Sequence, residues 1–336
     1  MTPGGPRVTA AAAIESRAGC RADQPRAAQS RGGGIVEHDI TNASVIRQQE
    51  FECDGPVDVW VELDSGRLDV ALEEGPAGAD RVTVQIRPDA ASQPWNIGIG
   101  SLLTWLGEQT GATPPSELAA EAVRRTMVDF TGQRLTVRTP QDFPLRTVPL
   151  TIEVNAPPGS SINARSGSAD VAVTGVTAGL DAATGSGQVR AQWCTGAAEV
   201  RTGSGDVQLR TVLGRLQVRT GSGKVDVISA EGSGTVQTGS GDVMLGTVKH
   251  DVSARTGSGD LTVVDACAGG LELTTGSGQL RVGIHSGVLA ELDVSSGSGH
   301  ARSDLPVGGP PPGSDVPLRV RARTGSGDAL VTTAPS

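Results

Sequence analysis

The sextet Thr-Gly-Ser-Gly-Asp-Val, or a near copy of it, begins at Ser166, Thr184, Thr202, Thr220, Thr238 and Thr256, a constant step of 18 residues. A fixed short period constrains a chain more than any single residue does, because each repeat has to be one structural unit stacked on its neighbours. Later copies begin at Thr275, Ser296 and Thr324, so the steps lengthen to 19, 21 and 28. The run from Pro306 through Pro310, Pro311 and Pro312 to Gly313 accounts for the longest step as a loop between two coils.

Counting each repeat from its first Thr as zero puts the apolar residues into columns. Offsets 5 and 7 hold Val207 and Leu209 in one copy and Val225 and Val227 in the next, and offset 10 holds Val212 and Ala230. A second alternating pair, Leu216 and Val218, sits at offsets 14 and 16. Alternation at spacing two marks a strand with one buried face. Each coil is therefore predicted to hold two short strands joined by two turns. The glycines of Gly-Ser-Gly are expected to supply left-handed backbone, and offset 12 carries small residues such as Gly196, Gly214 and Gly232. One coil buries too little to offset its own ordering, so neighbouring coils must complete the ladder. The predicted fold class is all-β, a parallel β-solenoid with coils of about 18 residues.

The first half is a degenerate version of the same object. Val57 to Leu72 alternates around a turn at Asp64-Ser65-Gly66, and Val82–Ile86, Leu135–Val137 and Leu150–Val154 have strand patterns. An insertion over 95–131 interrupts them. Trp95 to Leu106 is the most apolar run of the chain, and Glu117 to Phe130 has helical spacing at Ala119, Val123, Met127 and Phe130, with Pro114 and Pro115 before it and Gly132 beyond it. The expected organisation is a disordered tail or misassigned start over 1–44, degenerate coils with the insertion over 45–160, and regular coils over 161–336. The insertion fits a cap on the open end of the solenoid. The other reading is an amphipathic membrane- or partner-binding element around Trp95 and Trp105, but its apolar run lacks the Lys and Arg of a lipid-facing helix.

Composition narrows the function classes. A formal net charge of -9 argues against nucleic acid and anionic membrane as partners. No run approaches the ~18 apolar residues of a membrane span, and Ala10–Ile14 is too short for a secretory core, so the expected location is cytoplasmic. Aromatics are 2% with no Tyr, which leaves little with which to stack a sugar. Cys20, Cys53, Cys194 and Cys267 contain no pair at metal-ligand spacing and read as reduced thiols, with Cys194 in a core column. His38, His250, His285 and His300 are dispersed, so no metal site, cofactor or catalytic triad is expected.

Two polar columns remain. Offset 4 holds Asp170, Gln188, Asp206, Lys224, Asp242 and Asp260. Aspartates beside glycine turns also occur in calcium-binding β-rolls, but Lys224 stands where calcium needs oxygen, which favours a charge-patterned turn. Arg165, Arg201, Arg219, Arg255 and Arg323 each stand immediately before a repeat, with Ala183 and Gln237 interspersed. Stacked arginines repel, and the aspartate column is expected to offset them. The functional alternative is a stripe for a polyanion such as a cell-wall polymer. Arg201, Arg219 and Arg255, together with Trp95 and Trp105, are the candidate interaction residues.

The pattern Phe51-x-x-x-Gly55-Pro56, the Ser65-Gly66 turn, Ala156-Pro157-Pro158-Gly159-Ser160-Ser161 and the serial Thr-Gly-Ser-Gly-Asp-Val resembles the bacterial putative-adhesin family with β-strand repeats, a domain of unknown function also called toastrack. That resemblance spans roughly 45–336. It implies a single-stranded right-handed β-solenoid, no catalytic residues, and a link to the cell envelope, since related domains accompany envelope-stress proteins, and its adhesin label makes a surface location the alternative to the cytoplasmic one. The expectation is a non-enzymatic interaction scaffold whose partner is a protein or envelope component. The alternatives are a structural protein that self-associates through an exposed C-terminal coil at Ala329–Val331, which makes a homo-oligomer, and a β-helix carbohydrate-active enzyme.

Overall fold

The computed structural model describes residues 45–73, 81–89, 114–306 and 316–335. Strands β1 (Arg47–Glu52), β2 (Asp58–Leu63), β3 (Gly66–Leu72) and β4 (Arg81–Pro88) precede helix α1 (Pro115–Arg125). After it come β5 (Met127–Thr131), β6 (Arg134–Arg138) and β7 (Leu150–Ala156). Regular coils begin with β8 (Ser161–Ser166), β9 (Asp170–Thr177), β10 (Gly179–Thr184), β11 (Val189–Cys194), β12 (Ala198–Thr202) and β13 (Val207–Val212). They continue with β14 (Leu216–Thr220), β15 (Val225–Ala230), β16 (Gly234–Thr238), β17 (Val243–Val248), β18 (Val252–Thr256) and β19 (Leu261–Ala266). The last six are β20 (Gly269–Thr275), β21 (Leu280–Ile284), β22 (Ala290–Ser296), β23 (Ala301–Ser303), β24 (Leu318–Thr324) and β25 (Ala329–Thr333).

Each regular coil gives one strand to each of two facing sheets. The first has 13 strands in the order β1-β4-β7-β3-β9-β11-β13-β15-β17-β19-β21-β25-β23, and the second has 12 in the order β22-β24-β20-β18-β16-β14-β12-β10-β8-β2-β6-β5. We call them sheet A and sheet B. Pairing is parallel throughout the coils, and the intervening strand in the opposite sheet is the crossover that parallel pairing requires. The alternating columns fill the space between the sheets: Val207, Leu209, Val212, Leu216 and Val218 are all at most 2% exposed. The chain is thus a β-solenoid with 18-residue coils.

The Gly-Ser-Gly corners are built differently from expectation. None of their glycines has positive φ; the left-handed glycines lie elsewhere, at Gly55, Gly66, Gly132, Gly159, Gly175, Gly269 and Gly287. What the corner requires is space. A Cβ on Gly205 would lie 1.9 Å from the Gly187 carbonyl oxygen of the previous coil, and the same clash recurs for Gly223 on Gly205 and Gly241 on Gly223. The glycines therefore stack as a column of touching backbones. The Thr that opens each corner is buried, and its Oγ accepts from the N–H three residues on, 2.9 Å for Gly205 on Thr202 and 3.0 Å for Gly223 on Thr220. Ser166 does the same for Ala169 at 2.7 Å.

One column also departs from its pattern. In the first regular coil, left-handed Gly175 shifts the register, so Val176 is 39% exposed and Thr177 takes the inward place beside Cys194.

At the N-terminal end both sheets finish in antiparallel strands, β1–β4–β7 in one and β5–β6 in the other. The helical pattern over 117–130 resolves into two elements. Helix α1 stops at Arg125, and Met127 to Thr131 is an edge strand hairpinned to β6 through Gly132 (φ 56°) and Gln133 (φ 66°). Consecutive left-handed residues of this kind make a primed two-residue turn, which fixes a hairpin and overrides the helical spacing. Phe51 of β1 stacks on Phe130 of β5 at 5.3 Å, so the two edges meet across the end of the core. Arg47 donates to the Thr126 carbonyl at 2.6 Å, which satisfies the end of α1 and ties it to β1.

At the other end the expectation of an exposed C-terminal coil is overturned. β24 lies between β20 and β22, and β25 lies between β21 and β23. The last coil in sequence is therefore internal, and the outermost described coil is β22–β23. Its inward residues Leu292 and Val294 are only partly buried, and every residue of β23 is exposed.

Candidate functional site

The outer face of sheet B carries the candidate residues. In β14, Leu216, Val218 and Thr220 point inward while Gln217 and Arg219 point outward, and every coil repeats this. The parallel register stacks Arg165, Ala183, Arg201 and Arg219 on successive coils, followed by Gln237, Arg255, Thr274 and Arg323. Arg201, Arg219 and Arg255 thus share one column. Trp95 and Trp105 lie outside the described residues.

The arginines are compensated within their own sheet, not by the aspartates a turn away. Arg165 makes a two-pronged pair with Asp181 (3.1 and 2.9 Å), Arg201 pairs with Glu199, Arg255 with Glu272 (3.2 Å) and Arg323 with Asp293 (3.6 Å). Each acid comes from the adjacent outward column, two residues before the arginine position. Arg219 has Gln217 in that place and makes no ion pair among the described residues. Ala183, set between Arg165 and Arg201, leaves a notch that widens into a shallow groove of about 400 Å³, bordered by Arg165, Arg201 and Arg219 and floored by Thr184 and Thr202. The column is a mixed-charge surface with one uncompensated guanidinium at the groove.

The aspartate column has a structural assignment. One Oδ of Asp206 accepts the N–H of Lys224 on the next coil at 2.8 Å, Asp242 that of Asp260 at 2.9 Å, and Asp260 that of Gln279 at 2.8 Å. A carboxylate so used clips adjacent coils together. It also explains why Lys224, Gln188 and Gln279 are tolerated: they stand above an Asp and receive its bond through the backbone.

Pattern reading missed Trp193. It is 46% exposed on the outer face of sheet A beside Val176, in a column that continues through Thr211, Ser229, Thr247 and Asp265. The signal was present as a residue out of character for its column.

Residues 151–309 match the family model described as Toastrack DUF4097. No curated protein matches the chain. Among solved structures it is similar to one described as a putative adhesin from Bacteroides fragilis, at 9% identity and TM-score 0.37, covering 86% of this chain and 96% of that one. A putative adhesin from Parabacteroides merdae matches at 13% identity and TM-score 0.35, covering 86% and 96% of the two chains. A putative lipid binding protein from Parabacteroides distasonis gives 13%, 0.38, 84% and 96%. With scores this low, the fold rests on the chain's own ladders and on the family match.

Proposed function

We propose, for a chain that carries a Toastrack domain over residues 151–309, a non-enzymatic, adhesin-like interaction scaffold of the bacterial envelope. Its docking face is the outer side of sheet B from Arg165 to Arg219, and its ligand is an extended envelope polymer or protein segment bearing anionic groups. The observation that carries this reading is the groove at Ala183, where Arg219 has no acidic partner among the described residues while Arg165 and Arg201 do. A polymer with regularly spaced charges suits a column whose members repeat every coil, about 4.8 Å apart.

The test is binding of the full chain to arrayed anionic glycans and cell-wall polymers. Arg219→Ala should weaken capture by about twofold to fivefold, the scale of ~0.5–1 kcal/mol for an exposed charge pair. Identical capture by wild type and by an Arg201→Ala/Arg219→Ala double variant would rule the face out. Self-association is the second reading, and the partly buried Leu292 and Val294 of the outermost coil support it. An unpaired parallel edge is a template for another chain. Light scattering over a concentration series distinguishes the two, because only the self-associating protein gains mass.

A further inference from the structure

Three residues separated in sequence meet on the outer face of sheet A. Cys267 directly follows β19 and His285 directly follows β21, and their N–H groups donate to the carbonyls of Val248 (2.9 Å) and Ala266 (3.0 Å). They therefore occupy the same position on adjacent coils. A one-residue register shift between β19 and β21 brings His285 into that column, which spacing alone does not reveal. Asp265 lies two residues before Cys267. Neighbouring members of a parallel column start about 4.8 Å apart, so their side chains can converge on one point.

They do converge. Nδ1 of His285 lies 2.9 and 3.2 Å from the two Asp265 carboxylate oxygens, and Sγ of Cys267 lies 3.6 Å from Oδ2. All three donor atoms fall within 4.8 Å of one another. Asp265 and Cys267 are half-buried and His285 is exposed, so the cluster is walled on the sheet side and open toward solvent. Lys249, one coil further along the column, is held by Glu231 at 2.9 Å.

Zinc bonds sulfur at about 2.3 Å and nitrogen or oxygen at about 2.0–2.2 Å, so the donors of a tetrahedral site lie roughly 3.3–3.6 Å apart. The Cys267–Asp265 distance of 3.6 Å has that scale, His285 lies slightly nearer Asp265 at 2.9 and 3.2 Å, and all three donors stay within 4.8 Å. Calcium and magnesium fit poorly, since they require six or more oxygen ligands. A nucleophilic triad fits poorly too: it needs the imidazole between thiol and carboxylate, whereas here the thiol's hydrogen-bond partner is the carboxylate itself. We propose that Asp265, Cys267 and His285 form a zinc site, with one carboxylate oxygen, one thiolate and one imidazole nitrogen as ligands and the fourth tetrahedral position left to water. Zinc replaces the thiol proton, which is released to solvent. The ion joins two adjacent coils.

The test is titration of the full metal-free chain with zinc against a chromophoric chelator, with cobalt(II) in parallel as a spectroscopic substitute. One zinc per chain is expected, together with a thiolate-to-cobalt absorption band in the near ultraviolet. Cys267→Ser should abolish the band, and His285→Gln and Asp265→Asn should each weaken zinc binding by at least about tenfold to a hundredfold, the loss that follows removal of even an outer partner of a metal ligand. All three side chains lie on the outer face, and circular dichroism of each variant checks that the coils remain. No binding by the intact chain at stoichiometric zinc, or equal affinity in wild type and Cys267→Ser, would overturn the proposal.

Discussion

The repeated glycine is a matter of space between coils. Gly205→Ala should destabilise by about 3 kcal/mol or more, because the new methyl meets a backbone carbonyl that cannot move without shifting the coil behind it. Gly179→Ala is the control: its Cβ would find nothing nearer than 3.7 Å, so the change should fall within about 0.5 kcal/mol. Chemical denaturation of both variants measures the contrast. The corner threonine is tested by Thr220→Ser, which keeps the acceptor as Ser166 does, against Thr220→Val, which leaves the buried Gly223 N–H unpaired. Only the second should cost about 1–3 kcal/mol. The columns made the corner legible in sequence, but not the reason for its glycines: a missing Cβ looks the same whether the backbone needs left-handed φ or a neighbour needs the room.

Elements were legible where only one periodicity applied. The alternating strands of the coils, and β4, β6 and β7 before them, follow directly from their patterns. The segment Met127–Thr131 did not, because Met127 and Phe130 continue the helical spacing of Ala119 and Val123, and the primed turn at Gly132-Gln133 decides the matter. Charge assignments at this scale depend on register. Asp328 of the corner before β25 accepts the backbone N–H of His300 before β23, at 2.9 Å, and that bond, more than the imidazole beside it, holds its carboxyl below the usual 3.8. A depressed carboxyl contributes stability that is complete above its ordinary value and is lost as pH falls through the lower, folded one. The carbon-13 resonance of the Asp328 carboxyl should therefore titrate with a midpoint below 3.8, and a midpoint at or above that value would show the bond to be absent. Asp69 runs the other way: burial raises its pKa, with Arg67 opposing, so any contribution from it weakens as pH rises out of the acid range.

At the scale of the whole molecule, the repeat led to the solenoid but not to the order of its coils. Arg201, Arg219 and Arg255 were legible as a column because an 18-residue step stacks them directly. The meeting of Asp265, Cys267 and His285 was hidden by a register shift, and the place of the final coil by an insertion. β21 leads by position to β24, whose first neighbour on the regular path is β20, and the Gly269 N–H donates to Pro317 just before it. Between His285 and Pro317 the described strands β22 and β23 thus form one extra coil beyond the final one. Deleting residues 286–316 would join His285 to Pro317 and leave the same two-residue connection that Cys267 and Ala268 make between β19 and β20. That shortened chain should stay folded with its other coils intact, as measured by circular dichroism and melting. Truncation after residue 305 should instead strip β22 and β23 of their only described partners.

The extra coil also sets an order of events on the ribosome. β22 leaves the exit tunnel before β24 does, at a moment when the edge of β20 is bare and open to any strand of matching pattern. Ala290-Glu-Leu-Asp-Val-Ser-Ser presents the same inward alternation as Leu318-Arg-Val-Arg-Ala-Arg-Thr, so the early strand can occupy the late strand's berth. A nascent chain in which it does so has to exchange one for the other once β24 has emerged. A refolding phase that disappears when residues 286–316 are deleted would be the mark of that exchange, and its persistence in the deleted chain would exclude it.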